Sequence, residues 1–231
     1  MLIDPHVHSN EISRCSHVSI ETLIDTKIAL GYGGAVLTNH CQQWYYDEKD
    51  HRENMQKHID VFHQGKEYAE KKGFLLMLGI EVTITDPRYS DWLLYGVDEE
   101  FLLSSPCLYK FSQRELYEYC RNRGVLMIQA HPYRGETHRP MDPEFMDGVE
   151  INCQPGDLPK KDQVIDFAVS NNMLLTCGVD FHDVSTTIRA GMEVPNDMLT
   201  SADFAAYLKS GKGVMDIKGN VMTYEQICRD L

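Results

Sequence analysis

The first residues of the chain include two histidines at a spacing that suits metal binding. His6 and His8 follow an apolar stretch and are separated by one residue, and Asp4 stands two residues before them. In an extended chain, residues i and i+2 project to the same side, so both imidazoles can face one ion. Paired imidazoles bind zinc and similar borderline metal ions well. We expect Asp4, on the same side, to orient an imidazole instead of binding the ion itself.

Other residues of ligand type occur where further apolar stretches end. Glu81 lies inside the apolar run at residues 78–83, and burial of its charge is costly unless it is paired or binds a cation. Asp180 and His182 repeat the alternate spacing near the end of the last apolar run. Single histidines stand at the ends of two more runs, His40 and His131. Together these residues predict a divalent metal site in which Glu81 can bridge two ions.

Short apolar runs that alternate with amphipathic stretches must position these residues. Seven runs are candidate strands: Leu2–Asp4, Ala35–His40, Leu75–Thr83, Trp92–Val97, Val125–His131, Gly148–Cys153 and Leu174–His182. Five stretches have helical periodicity: Ile20–Leu30, Arg52–Lys72, Gln113–Arg123, Gln163–Ser170 and Ser201–Lys209. This alternation is typical of parallel βα units. We therefore predict an α/β fold, a single TIM-barrel-like domain over residues 1–231, with the ligands at the C-terminal ends of the strands.

The composition limits the class of protein. The 231 residues carry 22 Lys and Arg against 35 Asp and Glu, a formal net charge of −13 that weighs against a nucleic-acid-binding surface. No apolar run approaches the ~18–20 residues of a membrane span, and the N-terminus lacks a signal-peptide pattern. The seven cysteines include no CxxC pair and are expected to be free thiols. We expect a cytoplasmic protein without a membrane partner.

Taken in order, the motifs resemble those of the PHP (polymerase and histidinol phosphatase) family of metal-dependent phosphoesterases. The matching stretches are Asp4-x-His6-x-His8-Ser9, Thr38-Asn39-His40, Gly79-Ile80-Glu81, Ala130-His131-Pro132 and Gly178-Val179-Asp180-x-His182. Each is weak alone, whereas the ordered set, which spans residues 1 to about 190, is specific. The resemblance implies a distorted (β/α)7 barrel with a trinuclear metal site at the C-terminal ends of its strands.

The resemblance also implies which residues bind each ion. The first ion would be bound by His6, His8, Glu81 and Asp180, the second by Glu81 and His131, and the third by His17, His40 and His182. Many members have a further histidine after the fourth strand, where this chain has Asp98. Asp98 is either an oxygen ligand of the second ion, which would favour manganese or magnesium over zinc there, or a loop acid. We expect two or three divalent ions of zinc, manganese or iron.

The reaction that this resemblance implies is hydrolysis of a phosphate monoester of a small molecule, either a histidinol phosphate-like compound or a nucleotide. Divalent ions lower the pKa of bound water from ~15.7 toward ~7, so that a metal-bound hydroxide can attack the phosphate. Asp180 or His182 could pass a proton to the leaving oxygen. Three arginines near the ligand motifs are predicted to bind the phosphate: Arg14, Arg134 and Arg189. Three aromatic residues after His40 could form a wall against a ring or pack the loop: Trp44, Tyr45 and Tyr46.

Three other functions stay open at this point. A nuclease or exonuclease would use the same ions on DNA or RNA ends, but the charge of −13 weakly favours a small phosphorylated substrate. A regulatory module that binds metal without turnover is disfavoured by the nearly complete set of ligands. An amidohydrolase also combines a His-x-His motif with a barrel, but no lysine stands at a strand end where its carbamate could bridge two ions.

Overall fold

The computed structural model describes residues 1–45, 50–136 and 138–229. These residues form twelve strands, β1 (Leu2–Val7), β2 (Gly34–Leu37), β3 (His40–Cys41), β4 (Leu75–Leu78), β5 (Ile80–Ile84), β6 (Ser90–Tyr95), β7 (Leu126–Gln129), β8 (Gly148–Asn152), β9 (Leu174–Gly178), β10 (Ala190–Glu193), β11 (Val214–Ile217) and β12 (Asn220–Thr223). They also form seven α-helices, α1 (Ile20–Ala29), α2 (His51–Lys71), α3 (Glu99–Ser104), α4 (Gln113–Arg121), α5 (Lys161–Ser170), α6 (Ser201–Lys209) and α7 (Tyr224–Arg229). The predicted α/β class is confirmed.

The described strands pair into two mixed sheets of six strands. The order is β12-β11-β10-β1-β2-β4 in the first sheet and β3-β5-β6-β7-β8-β9 in the second. Strands β1, β2 and β4 are mutually parallel, and so are β7, β8 and β9. Strand β6 is antiparallel to both of its neighbours, β5 and β7. The direction of β6 decides which of its ends faces the site described below.

The described strands do not close into the predicted barrel, because two of the predicted strands are divided between the sheets. The run at residues 75–83 breaks at Gly79 into β4 and β5, and the run at 35–40 breaks at Thr38 and Asn39 into β2 and β3. A side chain at position 79 would approach Val36 Cγ1 to 2.7 Å, so only glycine fits this break. The second halves of both runs, β3 and β5, pair with each other in the second sheet.

The two sheets meet where β1 approaches the chain that follows β9. The backbone N–H of His8 donates to Phe181 O at 2.9 Å, and the N–H of Phe181 donates to His6 O at 3.1 Å. Both histidines of the first motif therefore lie beside the Asp180 motif. The junction of the sheets brings together the first and the last of the ligand motifs along the chain.

The helices begin at residues whose side chains satisfy the first free N–H groups. Ser112 and Glu115 form a reciprocal capping box at the start of α4, and Ser19 caps α1. Helix α1 buries Leu23 and Ile24 on the face toward the core, which contributes about 1.5–3 kcal/mol per side chain. No helix among the described residues combines the length and apolarity that a membrane span requires.

The C-terminal part of the chain extends the first sheet. Strand β10 pairs antiparallel with β1, with Leu2 opposite Glu193, and the β11–β12 hairpin adds two more strands. Helix α7 follows this hairpin. These elements lie outside β1 and support it from the side away from β2.

Candidate metal centre

Four of the predicted ligands converge where β1, β5 and β9 approach one another. Asp180 Oδ1 lies 3.2 Å from His6 Nε2 and 3.2 Å from His8 Nε2. Glu81 Oε1 lies 3.5 Å from His6 Nε2, and Glu81 Oε2 lies 3.4 Å from His8 Nε2. All four residues are buried. Two imidazoles and two carboxylates that converge in this way form a donor set for a borderline divalent ion.

Glu81 joins this group to two further histidines. His40 Nδ1 lies 2.7 Å from Glu81 Oε2, and His131 Nε2 lies 3.4 Å from Glu81 Oε1. The two carboxylate oxygens thus face different sets of imidazoles. This arrangement supports the expectation that Glu81 bridges two ions.

A second group of ligand type contains Asp91, His131 and His138, whose ligand atoms lie within 4.8 Å of one another. Asp91 Oδ2 is 3.9 Å from His131 Nε2 and 3.8 Å from His138 Nε2. Asp91 Oδ1 accepts a hydrogen bond of 2.6 Å from Thr83 Oγ1, which orients the carboxylate. Asp91 therefore offers a carboxylate oxygen beside His131 and His138.

Asp98 lies elsewhere, because β6 runs opposite to the direction that a parallel barrel requires. The antiparallel pairing with β5 puts the start of β6, at Asp91, beside Thr83 near the ligands and puts the end of β6 at the far side. There the Asp98 carboxylate accepts from Phe101 N at 2.7 Å and caps α3. Of the two alternatives for Asp98, the loop acid fits the structure, and Asp91 is the carboxylate that lies beside His131.

A third group contains His8, His40 and His182, which also place one ligand atom each within 4.8 Å of the others. His17, the expected third member beside His40 and His182, is exposed, and its backbone N–H donates to the carbonyl oxygen of His182. In its place, Cys15 Sγ lies 3.2 Å from His182 Nε2. The loop after β1 therefore presents a thiol to the cluster and turns the expected imidazole toward solvent.

Two of the predicted ligands have backbone conformations that L-residues rarely adopt. Asp180 has a φ of 54° and His131 has a φ of 31°. Left-handed conformations of this kind cost about 1–3 kcal/mol and persist where the surroundings impose them, often at functional sites. The strain at both residues is consistent with side chains that are held in place to bind an ion.

The donor atoms fit divalent ions because the protein leaves several of them unsatisfied. His6 Nε2, His8 Nε2 and both carboxylate oxygens of Glu81 are buried, and within the described residues they accept or donate no hydrogen bond. Burial of a carboxylate without hydrogen bonds is costly, and a cation between these atoms would reduce that cost. The residues present therefore fit the divalent ions that the motifs imply.

The charges in the cluster shift the pKa values of its members in opposite directions. Burial alone would lower the pKa of His6, but the carboxylates of Glu150, Asp180 and Glu81 raise it well above its usual range. Burial would raise the pKa of Glu81, yet the neighbouring imidazoles of His40 and His6 hold it well below its usual range. The carboxylate therefore stays ionised, as a metal ligand must.

A buried glutamate that sequence reasoning missed supports His6 from behind. Glu150, in β8, lies with Oε1 2.8 Å from His6 Nδ1, so that Nε2 is directed at the cluster. Its Oε2 accepts from the backbone N–H of His131 and from Asn152 Nδ2. Glu150 carries the same signal as Glu81, an acidic residue in an apolar strand, and could have been found by it.

Asp4 has a different role from the expected one. Its Oδ1 accepts from the backbone N–H groups of His6 and Val179, and its Oδ2 accepts from Lys27 Nζ at 2.5 Å. Asp4 therefore holds the backbones of β1 and β9 and joins them to α1. The expectation that it orients an imidazole is corrected, because Glu150 makes that contact.

The three predicted arginines lie in different places. Arg134 Nη2 is 2.7 Å from Asp180 Oδ2 and 2.7 Å from Asp157 Oδ2 beside the cluster. Arg14 is exposed and donates to Tyr45 O. Arg189 pairs with Asp216 on β11 and lies outside the cleft described next, so its expected phosphate contact is corrected.

A cleft of about 380 Å³ opens over the cluster. Its wall includes Arg134 and two partly exposed rings, Trp44 and Tyr89, whose centroids are 6.1 Å apart and nearly parallel. Tyr45 also lines it, whereas Tyr46 lies outside the described residues. The wall thus combines ligand side chains, a cation and aromatic rings. Its remaining ligand-type lining residues are Cys15, His40, Asp91, His131, His138, Asp180 and His182.

No family model matches the chain, and no curated protein matches it by sequence. Solved structures do match. A two-domain protein from Bacteroides vulgatus that contains a predicted PHP-like metal-dependent phosphoesterase is 19% identical, with a TM-score of 0.70 over 99% of this chain and 68% of that one. A proposed metal-dependent phosphoesterase from Bifidobacterium adolescentis is 15% identical, with a TM-score of 0.57 over 90% and 95% of the two chains.

A lesion-specific endonuclease from Pyrococcus furiosus also matches, at 13% identity and a TM-score of 0.53 over 90% of this chain and 56% of that one. Identities this low establish similarity of fold and leave the reaction to be argued from the site. The chain has the fold of the PHP-like metal-dependent phosphoesterases.

Proposed function

We propose that this protein is a metal-dependent phosphoesterase that hydrolyses a phosphate monoester of a small molecule. The observation that carries the proposal is the convergence of buried, unsatisfied imidazole and carboxylate atoms around Glu81, at the bottom of a cleft edged by Arg134. Such a set can hold two or three divalent ions. Bound divalent ions activate water and offset the negative charge of a phosphate.

Two groups of candidate ligands would hold these ions. His6, His8 and Asp180 form one group with Glu81, and Asp91, His131 and His138 form another, which contacts Glu81 through His131. Glu150 fixes the ring of His6, and Thr83 fixes the carboxylate of Asp91. Supporting contacts of this kind keep ligands oriented and typically affect metal affinity by about 10–100-fold.

Arg134 is the side chain best placed to bind a phosphate. Its guanidinium lies between Asp157 and Asp180 and lines the cleft. The two carboxylates hold its plane in one orientation, and a planar guanidinium suits the oxygens of a phosphate. Arg14 is a second candidate cation, because it donates to the carbonyl oxygen of Tyr45, which lines the cleft. His182, also on the wall, is our candidate for passing a proton to the leaving oxygen, with Asp180 as the alternative.

The size and charge of the surroundings favour a small substrate. The cleft of about 380 Å³ suits a compact phosphorylated molecule, and a net charge of −13 opposes a polyanion at long range. A nuclease is the second candidate, favoured by the similarity of fold to the endonuclease. For either activity a cytoplasmic location and the identity of the metal, zinc or manganese, stay predictions.

The test is a substrate panel with defined metals. The purified protein would be assayed with Zn²⁺ or Mn²⁺ on an aryl phosphate, a set of nucleoside monophosphates and single-stranded DNA. We expect release of phosphate from the monoesters, and an Arg134→Gln variant with a KM raised by about 10-fold or more, since a charge-assisted contact contributes about 1.5–3 kcal/mol. Cleavage of DNA alone would favour the nuclease, and a metal-loaded protein inert on all three substrates would contradict both.

A further inference from the structure

The loop between β1 and α1 places a cysteine at the edge of the metal cluster. Cys15 Sγ lies 3.2 Å from His182 Nε2, and the residue is exposed in the wall of the cleft. The next residue ties the loop down, because Ser16 Oγ donates to His8 O at 3.0 Å and to His182 O at 3.2 Å. The position of Cys15 is therefore fixed relative to the backbones of two ligands.

The three histidines beside Cys15 indicate a cation site independently of the thiol. His8, His40 and His182 each offer a nitrogen within 4.8 Å of the other two. The ring centroids of His40 and His182 each lie 4.3 Å from that of His8 and 5.7 Å from each other. His8 Nε2 is buried and makes no hydrogen bond within the described residues. Three converging imidazole nitrogens, one of them on a buried and unsatisfied side chain, favour a cation bound in common.

We propose that Cys15, His40 and His182 together bind one ion of the cluster, with the sulfur of Cys15 as a direct ligand. The inference rests on the proposed metal-dependent function and specifies one of its sites. His17, which the motif pattern suggested for this position, is exposed and belongs to none of the three ligand groups of the described chain. When the ion binds, the thiol releases its proton to solvent and the sulfur bonds to the metal as a thiolate.

A thiolate ligand would make this site selective. Sulfur ligands favour zinc over manganese and magnesium, whereas the carboxylate-rich remainder of the cluster accepts harder ions. Two imidazoles and one thiolate are three protein ligands, which leaves the fourth position of a zinc ion open to water or substrate. The cluster would thus have one zinc-selective site on the side of the cleft, beside two metal sites that accept a wider range of divalent ions.

Cobalt is the probe that detects the sulfur directly. A bond between Co²⁺ and thiolate gives an intense near-ultraviolet charge-transfer absorption that nitrogen and oxygen ligands do not give. We expect this absorption when the wild-type protein is titrated with Co²⁺ and expect it to be lost in Cys15→Ser. The half-buried Cys107, which lies outside the cleft, supplies the matched control: Cys107→Ser should keep the absorption, and so should His17→Ala.

The outcomes separate this inference from the proposed function. Visible cobalt absorption without the sulfur band in the wild type, or a sulfur band that survives in Cys15→Ser, would overturn the thiolate ligand and leave the metal centre intact. Absence of any cobalt spectrum would overturn both proposals. Because Cys15 is exposed, its replacement by serine should not affect folding, and the wild-type spectrum alone already decides the presence of a sulfur ligand.

Alkylation of the thiol gives a second readout that does not depend on activity. A thiolate bound to a metal ion reacts poorly with iodoacetamide, because its lone pair is engaged. We expect saturating Zn²⁺ to slow labelling of Cys15 by at least about 10-fold, followed by mass spectrometry, with Cys107 in the same sample as the reference. Equal labelling of Cys15 with and without zinc would contradict the proposal.

Discussion

At the scale of single residues, Glu150 has the most specific supporting role. It contacts His6 Nδ1 with one oxygen and the backbone N–H of His131 with the other, so one carboxylate positions ligands of two different groups. It is buried in β8 and lies behind the ligands. Its effect on the ions must therefore be indirect, through the orientation of His6 and His131.

We predict that Glu150→Gln lowers metal affinity by about 10–100-fold, the usual effect of removing a partner of a metal-bound imidazole. The amide is similar in size, but it cannot offer two charged oxygens to His6 and His131. The measurement is competition with a chromophoric chelator. Glu193→Gln, at the end of β10, is the control and should retain wild-type affinity; an equal affinity of Glu150→Gln would show that the contact is dispensable.

Single residues also show which parts of the metal centre can be predicted from the sequence. The alternate spacing of His6 and His8 and the acid in an apolar run at Glu81 predicted side chains that do meet in the structure. Asp91 was not predicted as a ligand and Cys15 was expected to be a free thiol, because a residue near the start of a strand or in a loop has no spacing pattern of its own. Only the tertiary arrangement brings these two side chains to the cluster.

At the scale of elements, the close approach of β1, β8 and β9 sets the geometry of the centre. Gly178, the last residue of β9, has no side chain where a Cβ would lie 2.5 Å from Glu150 Oε1 and 2.9 Å from His6 Cβ. The absence of a side chain allows the Glu150–His6 contact to form. A methyl group at this place would force the two side chains apart.

Gly178→Ala replaces no ligand, yet we expect it to weaken metal binding by displacing His6 and Glu150. It should also cost about 1–3 kcal/mol of stability through overpacking. Chelator competition and urea unfolding would measure the two effects. Gly156→Ala is the matched control, because its added Cβ meets no atom within 4 Å. If Gly178→Ala behaved like Gly156→Ala in both assays, the packing argument would be wrong.

A buried ion pair joins α1 to the two strands that carry the ligand motifs. Lys27 is fully buried, its Nζ lies 2.5 Å from Asp4 Oδ2, and it contacts the rings of Tyr32 and Phe181. Burial lowers the pKa of Lys27, although Asp4 acts in the opposite direction. The ion pair therefore links α1 to β1, and each buried charge is compensated by the other.

Removing one partner of this pair should be costly. Lys27→Met leaves the Asp4 carboxylate buried without its cation, and we expect a loss of about 3–5 kcal/mol in the free energy of unfolding. Urea denaturation measures it. Lys57→Met removes an exposed lysine paired with Glu53 and should change stability by less than about 1 kcal/mol. A similar small effect for Lys27→Met would contradict the structural role of the pair.

The direction of β6 explains why element-level prediction was incomplete. The apolar run at 92–97 was recognised as a strand, but its pattern is the same whether the strand runs parallel or antiparallel. Asp98 was considered as a ligand because parallel strands were assumed, but it lies at the end of β6 away from the cluster. Hydrogen bonds between distant segments decide the direction of β6 and the division of the sheets, and the local sequence contains neither.

For the whole molecule, stability in acid depends on a buried histidine that is not among the predicted metal ligands. His58 on α2 is buried, and burial, together with the nearby His40 and His51, lowers its pKa to about 3. In the unfolded chain the imidazole titrates near about 6.5. Between these two values the unfolded state binds the extra proton, so stability is complete above about pH 6.5 and falls as the pH decreases toward 3.

We predict that His58 contributes up to about 1.4 kcal/mol per pH unit to this loss. Metal ligands titrate too, so the measured quantity is the difference in pH slope between wild type and His58→Gln, from urea unfolding at several pH values. The slope should decrease in His58→Gln. His63→Gln, on the exposed face of the same helix, should match the wild type, and an unchanged slope in His58→Gln would refute the assignment.

The central claim concerns the whole arrangement: that the junction of the two sheets holds divalent ions around Glu81. Crystals soaked in Zn²⁺ or Mn²⁺ and measured at the metal absorption edge would locate the ions by anomalous scattering. We predict a strong peak between His6, His8, Glu81 and Asp180, and a second peak beside His131 and Asp91. Anomalous peaks confined to other parts of the surface, with none at Glu81, would contradict the account.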